Sequence, residues 1–113
     1  MTINGKFYRE AELDFNTVCE MENMGVSIQN IDDNIMSAAR AYAAICMRKP
    51  LRIAGAEIEA HIINGGTLAD ILEPFNKKAE ESGFFQALRK KAESEESQEE
   101  NKVLKMKPET EKA

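Results

Sequence analysis

The sequence predicts a mainly α-helical protein of α+β type: a small bundle of four to five short helices with a short N-terminal β-hairpin or ribbon. Three observations carry that expectation. Apolar residues recur at three- and four-residue intervals in four separate stretches between Phe15 and Ala79. Caps and terminators bracket these stretches: Asp14 and Gly25, Pro50, Gly65-Gly66, Thr67 and Gly83. Ahead of them all, Asn4-Gly5 is a type I′ hairpin signal.

So few residues precede Asn4 that the first strand must be very short, and such a ribbon has to pack on the helices. The segment from Leu13 to Gly25 fixes the first helix at both ends. Asp14 is placed to accept the backbone N–H of Asn16 or Thr17. Phe15, Val18 and Met21, with Cys19 beside them, give an apolar face, and Gly25 suits a C′ position at positive φ. Val26, Ile28 and Ile31 can then cover one end of the core.

Asp32 or Asp33 is expected to start the second helix, which runs to about Arg48. Ile35, Ala38, Ala39, Tyr42, Ile45 and Cys46 form a wide apolar face, and small alanines let neighbours approach closely. This is the expected central helix. Arg48 and Lys49 favour the negative end of its dipole, and Pro50 stops it. Residues 52–64 read as a third helix carrying Ile53, Ile58, Ile62 and Ile63, loosened by Gly55 and ended by Asn64-Gly65-Gly66. Thr67 begins a fourth, with Asp70 three residues later as a variant capping box. Leu68, Ile71, Leu72, Phe75 and Ala79 are its stripe, and Pro74 is expected to kink or split it. Gly83 ends the periodic run. Phe84-Phe85 either plugs the core or stays exposed, and a last amphipathic turn over 87–92 can follow.

Composition divides the 113 residues into a compact helical unit, 1–88, and a charged C-terminal tail, 89–113, read as disordered or extended. The net charge of −5 lies wholly in the first unit, with eight basic against thirteen acidic side chains. No basic stripe is present, so nucleic acid is a poor partner. No apolar run is long enough for a membrane span and no signal-peptide pattern is seen, so a cytoplasmic location is expected. Cys19 and Cys46 suit two free buried thiols in a reducing compartment. A unit this small sits near break-even between ordering entropy and apolar burial, which makes a partner or self-association reasonable.

The chain carries no catalytic pattern. His61 is the sole histidine, with Glu57 one turn earlier, and it lacks the companions a zinc ligand or general base needs. The acidic doublets Glu57/Glu59 and Glu80/Glu81 do not face each other on a helix. Gly65-Gly66-Thr67 lacks the spacing and the Lys-Ser/Thr ending of a phosphate loop. No cofactor, no metal and no enzymatic activity are expected. The apolar surplus is more informative. Met21, Met24, Phe84 and Phe85 are expected to contribute to a patch for a helical partner or for another copy of the chain, because methionine adapts to varied surfaces and aromatics anchor them.

One resemblance sharpens this reading. An NGKFY ribbon leads to Leu13-Asp14-Phe15-Asn16, then Cys19-Glu20-Met21-Glu22 and Gly25. An alanine-rich helix from Ile35 to Cys46 follows, then a short acidic helix from Ala54 to Asn64, and finally Glu81-Ser82-Gly83-Phe84-Phe85. In that order the first 85 residues resemble the tail assembly chaperones of long-tailed bacteriophages and their prophages. The resemblance implies a stoichiometric binding protein in the bacterial host cell, absent from the mature virion. Such a protein holds the tape measure protein soluble during tail tube assembly and is then displaced by tail tube protein. It also implies that 89–113 surrounds the end of a short form that frameshifting can extend. The alternative from composition alone is a small acidic regulatory or antitoxin-like interaction module.

Overall fold

The structure is a computed structural model that describes residues 1–90. Expectations for residues 91–113 lie outside the described residues. Strands β1 (Thr2–Ile3) and β2 (Lys6–Phe7) pair antiparallel, with Thr2 opposite Phe7 and Ile3 opposite Lys6. Asn4 at φ 53° and Gly5 at φ 80° make the type I′ turn that matches strand twist. Helix α1 (Phe15–Asn23) follows, then a 3-10 turn over Ile31–Asp33. Helices α2 (Ile35–Met47), α3 (Leu51–Ile63) and α4 (Ala69–Glu81) come next, and α5 is helical over 83–90.

Helix α1 is capped and terminated as its sequence dictates, and its buried face holds Val18 and Met21 but not Phe15, which is exposed. The Asp14 carboxylate accepts the Thr17 N–H at 2.9 Å. At the other end Val26 N–H reaches Met21 O and Gly25 N–H reaches Glu22 O, both at 2.9 Å, with Gly25 at φ 90°. This is a Schellman closure, and Val26 and Met21 are both buried beneath it. Helix α3 ends the same way, through Gly66 N–H to His61 O and Gly65 N–H to Ile62 O.

Helix α2 is the centre of the packing. Ala38, Ala39, Ala41, Ala43 and Ala44 are each at most 1% exposed, so α1, α3 and α4 approach its backbone closely. Tyr42 is fully buried and donates its hydroxyl to Ala11 O at 2.7 Å. Its ring meets Phe75 edge to face at 5.2 Å, and Phe75 meets Phe85 at 6.1 Å. This aromatic chain joins α2, α4 and α5, while Ile3 and Leu13 close the core from the N-terminal side.

Several boundaries differ from expectation. Asp32 and Asp33 do not cap α2; they lie in the 3-10 turn, and the Asn34 side chain does not cap the helix but donates its amide back to Asn30 O at 2.9 Å. Asp32 instead accepts from a single Arg89 nitrogen, Nη2, which lies 3.1 Å from Oδ1 and 3.0 Å from Oδ2. Gly83 does not end α4. Ser82 does, and it also caps α5: its hydroxyl accepts Phe85 N–H at 3.0 Å and donates to Leu13 O at 2.7 Å. Pro74 lies inside an unbroken α4, where it has no N–H to give the Asp70 carbonyl. The capping box at Thr67 is half realised, with Asp70 reaching back to Thr67 N–H at 3.1 Å.

Candidate functional site

The four residues expected to form a binding patch are dispersed by the fold. Met21 is 2% exposed and Phe85 1%, so both belong to the core and neither can present a surface. Met21 is drawn in by the Schellman closure, and Phe85 by the Ser82 cap, which turns α5 so that position 85 faces Phe75. Phe84, one position earlier, is turned outward and rests edge to face on exposed Phe15 at 5.8 Å. Met24 is half-buried and lines a different cleft at the other end of α1.

The more coherent apolar surface is a groove of about 440 Å³ between α2 and α3. Met36 lines it from α2, Ile58, Ile62 and Ile63 line it from α3, and Leu68 lines it from the residue before α4. Met36 and Ile63 are 72% and 74% exposed, an uncommon position for side chains of this size that share one groove. The helices place them there for local reasons. Ile63 lies about 140° round the helix from Ile58 and so falls outside the face that buries Ala54 and Ile58, whereas Ile62, one turn beyond Ile58 on that face, is 41% exposed at the end of the helix. Of the four isoleucines expected to pack from α3, only Ile58 is buried. That crowding of Ile62 beside Ile63 was the sequence signal for the groove.

A wider cleft of about 880 Å³ runs between the 8–13 segment and the ends of α1 and α2. Glu10, Glu12, Glu20, Arg9, Arg48 and Lys49 line it, so water competes strongly for its surface. Cys46 lies in it as an acceptor for Ala11 N–H at 3.3 Å. Burial pushes this thiol up from its ordinary value, away from the thiolate a nucleophile needs. Burial likewise pushes Tyr42 up, and its proton is committed to Ala11 O. Neither group is poised for chemistry.

His61 is structural. Its Nδ1 accepts Asn4 N–H at 2.8 Å, which leaves the ring proton on Nε2, 2.7 Å from Asp70 Oδ2. Asn4 also donates its side-chain amide to Glu57 at 3.1 Å. The ring lies so close over Gly66 that a Cβ there would come within 2.3 Å of Nε2. The histidine thus fastens the hairpin to the corner between α3 and α4. Among the described residues no three His, Cys, Asp or Glu side chains form a group able to hold a metal ion, and no helix is long and apolar enough to cross a membrane. Cys19 and Cys46 are both free thiols. No match to this chain was found among family models, curated proteins or solved structures.

Proposed function

We propose that this protein is a non-enzymatic binding module that acts as a tail assembly chaperone, taking an apolar helical segment of a tape measure protein into the groove between α2 and α3. The observation that carries the docking is the exposure of Met36 from α2 and of Ile62 and Ile63 from α3 in one groove. A groove about two turns of helix long, with soft and branched walls, suits an amphipathic helix that presents residues at i, i+3, i+4 and i+7. The order of motifs from NGKFY to ESGFF supports the choice of a tape measure protein as the partner. A long helical protein with unassembled apolar faces needs such a cover before the tube forms around it, and binding alone supplies it.

The test is co-expression with the tape measure protein encoded in the same genome. Met36→Ser with Ile63→Ser should abolish co-purification while helical circular dichroism and the unfolding midpoint stay near wild type, since both side chains are already in water. Capture of the tape measure protein at wild-type levels by this folded variant would refute the groove as its site. Failure of the wild-type chain to capture it at all would refute the chaperone reading.

A further inference from the structure

The α2–α3 groove holds two charges that its own chain leaves unmatched. Arg40 on α2 lies across Gly55, whose absent Cβ would sit 3.3 Å from Arg40 Cδ, and Glu59 stands one turn further along α3. Among the described residues neither has an ion-pair partner, a condition they share with most of the surface charges, but these two lie in an apolar groove. Both are exposed, and both line the same groove as Met36 and Ile63. One cation, one anion and apolar walls on a single face make that face complementary to itself. A two-fold axis through the groove that brought Arg40 of one copy to Glu59 of the other would repeat the pair by symmetry. A foreign helix covering the groove must bring an acid and a base at matching positions, or leave two charges desolvated and unpaired. A second copy brings both automatically.

We infer that in the absence of another partner a second copy of this chain covers the groove, in a two-fold dimer closed by reciprocal Arg40–Glu59 pairs. The inference rests on the groove being a docking surface, as proposed above, but not on the identity of the displacing partner. The dimer is then a storage form. It keeps Met36, Ile62 and Ile63 dry until a better-matched helix competes for them.

The test is sedimentation of the full-length chain across a concentration series, with charge-reversed variants. Wild type should show a monomer–dimer equilibrium that weakens with added salt. Glu59→Arg and Arg40→Glu should each weaken the dimer by about tenfold or more, because each sets like charges together. The double variant R40E/E59R should return the dissociation constant to near its wild-type value. Both positions are exposed on helices, and Arg and Glu are similarly good helix formers, so circular dichroism should report folded protein throughout. A wild-type chain that stays monomeric, or a double variant no better than the single ones, would overturn the inference. The two readings fail separately: normal tape measure capture by the Met36/Ile63 variant sinks the partner site, whereas absent charge-swap rescue sinks the dimer.

Discussion

His61 binds through both ring nitrogens, and its neighbours show how far a single residue can be read from sequence. Glu57 lies one helical turn away and is visible as a neighbour. Asn4 and Asp70 are not, because one arrives from a hairpin 57 positions earlier and the other across the α3–α4 corner. Sequence shows only that His61 lacks the companions of a zinc ligand or general base; what it fastens came with the tertiary contacts. The pair has a consequence for acid stability. The hydrogen bond from His61, followed by that from Thr67 N–H, holds the Asp70 carboxyl below its ordinary value. Asp14 is lowered in the same way by the Thr17 N–H. A carboxyl whose folded pKa is depressed stabilises the fold above its unfolded pKa, about 3.9 for Asp, and that contribution is lost as pH falls through the lower folded value. Urea midpoints should therefore be level from neutral pH to about 5 and decline below about 4. Asp70→Asn should make that decline shallower. Because Asp70 is exposed, the change should be modest, and an identical acid profile in the variant would show that the His61 bond contributes nothing.

At the scale of elements, legibility follows how local the deciding interactions are. Helix α1 has its cap, face and terminator within thirteen residues; the cap and the terminator form as the sequence implies, whereas Phe15, expected on the apolar face, is 64% exposed. The start of α2 departs further, because Asp32 pairs with Arg89 from α5 and the Asn34 amide turns back to Asn30 O, so neither side chain caps the helix. Ser82 was likewise obscured by its neighbour: Gly83 is the obvious terminator, yet the hydroxyl that links Leu13 to Phe85 is what turns the chain. The α2 face itself was legible, since five alanines within seven positions have few uses other than close approach. Ala39 is completely buried on that face. Replacing it with Leu should overpack the contact and cost roughly 1–3 kcal/mol in urea unfolding. A neutral result would mean that the surrounding helices can separate to admit three further carbons, contrary to the closeness seen here.

At the scale of the whole molecule, the core is closed by its last described helix. Tyr42, Phe75 and Phe85 form one aromatic chain, and Phe85 reaches it only because α5 folds back after Ser82. Arg89 ties the far end of that helix to the turn before α2. Arg89, the residue after the division expected at 88, supplies this tie. Sequence alone could not assign the Phe84-Phe85 step, since adjacent aromatics on a helix point about 100° apart and only the backbone direction decides which is buried. Two truncations separate these roles. A chain ending at Lys90 retains Phe85, Leu88 and the Arg89–Asp32 pair, and its melting temperature should stay within a few degrees of the full-length protein. A chain ending at Ser82 loses the Phe85 side chain from a site with 1% exposure, where deleting such a ring costs about 3–5 kcal/mol. For a domain of this size that is a large share of the total stability, so cooperative thermal unfolding should disappear. Retention of a sharp transition in the shorter chain would show that Tyr42 and Phe75 close the core without α5. A marked loss of stability in the longer one would mean that residues beyond 90 hold the body together.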